Sequence, residues 1–286
     1  MCIAYLSLGV NPNWPVFIAA NRDEFHGRAA LTARPWPEAP HIIAGRDLAA
    51  GGTWLGLSRG RRWALLTNFR EPGAHREDAT SRGWLVSDFL LGDMSAEDYT
   101  TSIHAKADQY NGFNLIVGQG LHAWYVGNHA ACTGPVPLGP GRYALSNHAL
   151  DTPWPKVERL RTRLDTLVPE NDGLLLEPVY EILRDGVQPD DSRLPATGLP
   201  LEMERLLSSI FIVSPRYGTR CSTIIALDPR GEGIFSETTY DAAGMPIERH
   251  DWPVSVKSAM AQCSVGGEDD SSEPRSGLSG RSSSSP

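Results

Sequence analysis

The chain has 286 residues, 41% of them hydrophobic and 21% charged, with a formal net charge of -8, which is enough apolar material for a sizeable core in one large domain or two small ones. Its lysines and arginines are scattered rather than striped, which argues against the phosphate-tracking surface of a nucleic-acid binder. No run reaches the roughly 20 apolar residues of a membrane span, and the apolar start, residues 1–10, lacks both the basic flank and the length of a secretory signal.

Residues 2–8 are short and apolar, with Ile3, Tyr5 and Leu8 favouring a strand. Asn11-Pro12-Asn13-Trp14-Pro15 is turn chemistry, and residues 16–20 resume as a second buried strand, so the pair predicts a hairpin. The polar run Asn21-Arg22-Asp23-Glu24 follows directly. Strand character returns at residues 41–45, at 53–57 after Gly51-Gly52, and at 63–68. Ser81 suits the N-cap of an apolar-periodic helix reaching Leu91, and a second helix is expected over 96–110. Residues 113–117, 122–126 and 143–146 read as strands, then 154–167, 174–183 and 201–207 as helices. The closing strands are expected at 210–213, 223–227, 233–238 and 245–250, the first of them just before Arg220, which would stand at the mouth of the second.

Strand blocks separated by helix blocks fit two stacked sheets with a helical layer on each outer side. The alternating βα order and Gly-rich first loop of a nucleotide-binding sheet are absent. Residues 262–286 are Ser, Gly, Glu and Asp with almost no large apolar side chain. They are expected to form a disordered, acidic tail behind one domain spanning 1–258.

The cysteines Cys2, Cys132, Cys221 and Cys263 form no C-x-x-C pair and sit beside no histidine cluster at zinc spacing. Neither a metal site nor a disulfide framework is expected, and reduced thiols suit the cytoplasm. Cys2 is the sharpest feature. Once Met1 is trimmed it carries a free α-amine, whose reference pKa of about 7.7–8.0 lets it accept the thiol proton, so one residue supplies nucleophile and base. The plainer alternative is a small apolar residue on a buried strand. Arg22 and Asp23 end the hairpin partner of that strand, within reach of Cys2: Arg22 to lower the thiol pKa or bind an anion, Asp23 to hold the amine. A carboxylate–arginine cluster closing a loop is the competing reading. Asn68 and Asn147, each near a strand end, offer side-chain N–H groups to an oxyanion, or simply shape turns.

Together these segments resemble the family named for its NRDE motif, the transport-and-Golgi-organization-2 family. The resemblance rests on Met1-Cys2-Ile3, Asn21-Arg22-Asp23-Glu24, Gly51-Gly52-Thr53-Trp54-Leu55-Gly56, Thr67-Asn68-Phe69-Arg70, Ser81-Arg82-Gly83, Gly112-Phe113-Asn114-Leu115, Leu145-Ser146-Asn147 and Gly218-Thr219-Arg220, in order across roughly residues 1–255. It implies an α+β fold, a four-layer αββα sandwich of the N-terminal-nucleophile (Ntn) hydrolase kind. The similar cysteine amidases that cleave conjugated bile salts and penicillin V use an N-terminal Cys, an early Arg and Asp, Asn donors and a later Arg. Carried over, these are Cys2, Arg22, Asp23, Asn68, Asn147 and Arg220, with Asn21, Glu24, Trp54, Arg70, Ser81 and Arg82 expected around the ligand. One departure stands out: those amidases separate the early Arg and Asp, whereas Arg22 and Asp23 are adjacent. On a regular strand they face opposite ways, so both serve one pocket only if the chain turns there.

Two functions follow. The first is a thiol hydrolase acting on a linear amide, less readily an ester, through an acyl-Cys2 intermediate and without a cofactor. The second is a non-enzymatic carrier, for which the resemblance implies haem as cargo, or an acyl lipid. The eight tryptophans and the arginines could build a haem slot, with His26 or His148 as axial ligand. Either way the partner is a small molecule, an anionic acyl-amide or haem, rather than nucleic acid or a membrane.

Overall fold

Ile3 and Tyr5 face one side of the first strand, Ala4, Leu6 and Leu8 the other, and all five are buried. A strand that is apolar on both faces must lie between two layers. The computed structural model, which describes residues 2–170 and 176–255, places it there. In chain order the elements are β1 (Cys2–Leu8), β2 (Val16–Phe25), β3 (Ala30–Trp36), β4 (Ala39–Asp47), β5 (Leu55–Ser58) and β6 (Arg62–Asn68). Then come α1 (Gly83–Leu91), α2 (Ala96–His104), β7 (Phe113–Gln119), β8 (His122–Gly127), β9 (Val136–Leu138) and β10 (Gly141–Leu145). The chain continues with α3 (Pro155–Glu170), α4 (Leu176–Leu183), α5 (Leu201–Leu206), β11 (Tyr217–Leu227), β12 (Gly233–Tyr240) and β13 (Pro246–Val254).

Two antiparallel sheets result, one in the order β10-β1-β2-β11-β12-β13, the other running β3 to β9 in sequence. Leu6, Ile18, Leu57, Trp63, Ile116, Ile225 and Phe235 fill the space between them. On the outer face of the second sheet, Leu85 and Phe89 of α1 and Ile103 of α2 pack on Ile42, Ala64 and Val117. On the outer face of the first, Val157, Leu160 and Leu164 of α3 and Val179 and Leu183 of α4 cover Ile3, Tyr5, Phe17 and Ile224. The layers therefore run helix, sheet, sheet, helix: the α+β, αββα sandwich that the element order implies. Each fully buried Leu, Ile or Phe contributes about 1.5–3 kcal/mol, so three continuous clusters hold the layers together. Among the described residues no helix is long and apolar enough to cross a membrane.

Several expectations are corrected. β2 does not stop at Ala20; it runs through Asn-Arg-Asp-Glu to Phe25, because β1 and β11 flank it and supply partners (Cys2 opposite Arg22, Thr219 opposite Asp23). Residues 210–213 form no strand. Phe211 donates its N–H to the Asp185 carbonyl, and Ile212 exchanges bonds with Thr219 through that residue's N–H and hydroxyl. β11 begins at Tyr217, so Arg220 lies inside a strand, not at its mouth, as the extra residue of a bulge between Thr219 and Cys221. The helix expected over 96–110 ends at His104, and a single 3-10 turn follows at Ala107–Gln109. β3 and β9 were not anticipated; each carries a proline (Pro35, Pro137) and each is an edge strand, where a missing N–H is tolerated. The expected helix start at 174, the domain end at 258, the tail at 262–286 and Cys263 lie outside the described residues.

Candidate functional site

Alternation along β2 sorts its residues. Ile18 packs in the core between the sheets, Phe17 and Ala19 in the core under the helices. Continuing that period, Arg22 reaches toward the second sheet and Asp23 toward α3. Arg22 pairs directly with Cys2, the first residue of β1. Here the space between the sheets opens into a cleft of about 270 Å³, whose wall includes Cys2, Arg22, Asp23, Glu24, Trp54, Asn68, Ser81 and Arg82. The chain does not turn at Arg22-Asp23, yet both residues border the cleft. It lies at the start of β1, where Asp23 is reached past the strand's first residue.

Arg22 is held from two sides. Its guanidinium lies 4.3 Å over the Trp54 ring and 3.3 Å from Asp47, which Arg28 also binds at 2.7 Å. Burial pushes the Asp47 carboxyl up, but the Arg28 bond, with the N–H groups of Ala50 and Ala49, holds it below the usual carboxylate range. Gly51 and Gly52 follow, both left-handed (φ 76° and 77°). A Cβ on Gly52 would stand 2.2 Å from the Gly83 carbonyl carbon. Only glycine lets this loop meet the start of α1, where Thr53 N–H donates to the Gly83 carbonyl at 3.1 Å. That contact brings Ser81 and Arg82 to the wall. Ser81 accepts the Gly83 N–H at 3.3 Å just ahead of the helix, and Arg82 donates to the Gly112 carbonyl at 2.8 Å.

Cys2 is half-buried, and its sulfur accepts the Asp23 backbone N–H. Burial pushes its thiol up, and the N-terminal ammonium pulls it down, with Asp23 raising and Arg22 lowering it further. The Ser146 hydroxyl donates to the Cys2 carbonyl at 3.1 Å, and the Asn147 side-chain amide donates to the Asn68 carbonyl at 2.9 Å. Asn147 is fully buried and is not among the residues of the cleft wall; it straps the end of β6 to the segment that follows β10, whose Ser146 reaches the start of β1. Asn68 does border it.

Behind the cleft, Asp23 accepts the Thr219 hydroxyl at 2.7 Å. Burial pushes its carboxyl up, and Lys156, then the N-terminal ammonium, pull it back. Arg220 lies away from the cleft wall: its Nη1 donates to the carbonyls of Phe25 and Arg28 at 2.8 and 3.1 Å, bracing the β2–β3 turn. Asn21 clamps the carbonyls of Leu183 and Ile210 under the helices. Arg70 pairs with Glu204 at 2.8 Å, both almost fully buried, and lies over Trp154. His26 contacts the Ser214 carbonyl and His148 the Thr152 hydroxyl; His75, not singled out in the sequence, is the histidine on the cleft wall. Also unanticipated are Arg28, Asp47 and Arg76 on the wall and Lys156 behind it. Only Arg28 left a trace in the sequence, four residues after Glu24. Among the described residues no group of His, Cys, Asp or Glu is placed to hold a metal ion.

The arrangement combines a thiol, a cationic rim and a buried carboxylate behind the thiol. Residues 1–242 match the family described as Transport and Golgi organisation 2. The Transport and Golgi organization protein 2 homolog of Bos taurus is 35% identical over 262 residues, covering 83% of this chain and 92% of that protein. The Mus musculus homolog is 33% identical over the same shares, and the Drosophila melanogaster protein 26% identical over 84% and 92%. Among solved structures, a Caenorhabditis elegans N-acylethanolamine-hydrolyzing acid amidase ortholog aligns at TM-score 0.44 and 12% identity, over 78% of this chain and 92% of that one. A variant of the conjugated bile acid hydrolase of Clostridium perfringens aligns at TM-score 0.46 and 9% identity, over 88% and 97%.

Proposed function

The chain belongs to the Transport and Golgi organisation 2 family, and from its cleft we propose that it is a thiol hydrolase that opens a linear amide through Cys2 once Met1 is trimmed. The observation that carries this reading is the position of Cys2: first in β1, opposite Arg22, with Asp23 N–H on its sulfur and a cleft before it. The freed α-amine takes the thiol proton, and the sulfur attacks the amide carbonyl carbon. The carbon–nitrogen bond then breaks, the proton passes to the leaving amine, and an acyl-Cys2 remains for water to hydrolyse. Asn68 is the candidate oxyanion donor on the wall, while Asn147 positions it. Asp23 orients the amine. Arg22, Arg28, Arg76 and Arg82 around the opening suit a substrate with an anionic group. Arg220 and Arg70, already engaged elsewhere, support the frame.

The test is intact-mass analysis before and after brief treatment with limiting alkylator. In a Cys263→Ser variant, loss of Met1 and a first adduct on Cys2 are expected, because Cys132 and Cys221 are buried. Cys2→Ala should then abolish turnover in an amide-substrate screen. Retained Met1, or labelling of another cysteine while Cys2 stays inert, would sink the mechanism. The chain would then be a ligand carrier, and haem as cargo would show as a Soret band that survives Cys2→Ala.

A further inference from the structure

Trp63 and Leu65 of β6 and Ile116 of β7 fill the core between the sheets, and the strand period brings Thr67 and Asn114 to the same face. These two polar residues stand directly opposite each other and are fully buried. Such a pair costs stability unless its hydrogen bonds are made, and an apolar pair of the same shape would pack there without that cost. Asn114 uses its whole side chain. Its amide N–H groups donate to the Thr67 hydroxyl at 3.1 Å and the His148 carbonyl at 3.0 Å. Its Oδ1 accepts the Tyr125 hydroxyl at 2.6 Å and lies 2.9 Å from His129 Nε2. Thr67 in turn donates its hydroxyl to the Ser146 carbonyl at 2.6 Å. Ser146-Asn147-His148 follows β10 of the first sheet, yet its three carbonyls are taken by β6, β7 and the residues just beyond β6. Thr67 binds the first, the Arg70 N–H the second at 2.7 Å, and Asn114 the third. The polar side chains of the segment reach the two groups that the chemistry needs: Ser146 donates to the Cys2 carbonyl at 3.1 Å and Asn147 to the Asn68 carbonyl at 2.9 Å. The thiol and its oxyanion donor ride on different sheets, Cys2 on β1 and Asn68 on β6, and this segment is bonded to both.

We infer that Asn114 is a positioning residue: with Thr67 it clamps residues 146–148 between the sheets and so sets the spacing of the Cys2 thiol and the Asn68 amide. The inference rests on the reading of Cys2 as the nucleophile and Asn68 as its oxyanion donor. Neither Asn114 nor Thr67 is among the residues of the cleft wall, so both act only through the groups they hold. An oxyanion donor works only within hydrogen-bond reach of the developing charge, and a misplacement of about 1 Å costs on the order of 100-fold in rate.

Two reagents separate this role from plain support of the fold. p-Nitrophenyl acetate acetylates a thiolate: the sulfur–carbon bond forms, charge builds on the carbonyl oxygen, and p-nitrophenolate leaves. Iodoacetamide alkylates the same sulfur by displacing iodide at a saturated carbon, where no oxyanion arises. The two rates are measured in a Cys263→Ser background, with adducts on Cys2 read by mass. Thr67→Val and Asn114→Leu should slow acetylation by about 10–100-fold and leave alkylation nearly unchanged. Thr67→Ser, which keeps the hydroxyl, should restore acetylation. Thr67→Val preserves the shape of the side chain and carries the test alone if Asn114→Leu does not fold. Two rates that fall together, two that do not fall, or a Thr67→Ser as slow as Thr67→Val overturns the inference. An unaltered protein that takes no acetyl group at Cys2 would instead overturn the thiol reading. The clamp is then read from hydrogen exchange at the Arg70 amide, which should quicken in Thr67→Val; an unchanged rate there overturns the clamp as well.

Discussion

His129 is buried and stacked on Phe69 with ring centroids 4.1 Å apart, its Nε2 within 3.0 Å of the Tyr125 hydroxyl and 2.9 Å of the Asn114 side-chain oxygen Oδ1. Burial, with His148 nearby, lowers its pKa to about 4. In the unfolded chain an imidazole titrates near 6.5. Between those values the unfolded chain binds more protons than the folded one, so stability is lost as pH falls from about 6.5 toward about 4. His129→Gln should therefore lose less on acidification. The drop in melting temperature between pH 7 and pH 5 should shrink by about 3–6 °C, and an equal drop in both proteins would refute the neutral, buried imidazole. Cys2, Arg22 and Asp23 were legible in the sequence because one hairpin brings them together over a short stretch of chain. Arg70 was expected at the ligand, but its partner Glu204 is far along the chain, and no local pattern announces such a pair. Lys156 was missed for the same reason: on a helix bearing several charges, only tertiary packing decides which one is buried.

Among elements, the joint between the β4–β5 loop and α1 depends most on a single residue. Gly52 has a φ of 77° and no room for a Cβ against the Gly83 backbone. Gly52→Ala should cost about 2–4 kcal/mol through backbone strain and the collision together, and it should loosen Arg82 at the cleft. Denaturant titration measures the first, and proteolysis near residue 82 the second; a loss under 1 kcal/mol, on the scale of an ordinary glycine-to-alanine change, would mean that the loop yields. The layer order was readable from the alternation of strand and helix blocks, and β1, β6 and β7 from their apolar runs. What failed was the assumption that charge ends a strand. The Asn-Arg-Asp-Glu run stays in β2 because each of its first three side chains finds a buried partner: Asn21 the carbonyls of Leu183 and Ile210, Arg22 the Asp47 carboxylate, Asp23 the Thr219 hydroxyl. Conversely, the apolar run at 210–213 is no strand because Asp185 and Thr219 take its backbone groups.

Across the whole molecule, the three apolar clusters share sheets: the strands that close the central core also carry the two outer ones. Neither helical layer can leave without baring a sheet face, so the layers should melt together. Far-ultraviolet circular dichroism and tryptophan fluorescence are expected to give one coincident thermal transition; a separate early loss of helix would show that the layers are independent. The order of strands in the first sheet has a further consequence, in time rather than space. β1 lies between β2, its hairpin neighbour, and β10, which begins only at Gly141. β2 in turn waits for β11, which begins at Tyr217. At roughly 5–20 residues per second of synthesis, the leading strand spends on the order of 10 s or more on the ribosome with one edge open. During that interval the sheet that flanks the Cys2 side chain in the finished fold is still incomplete.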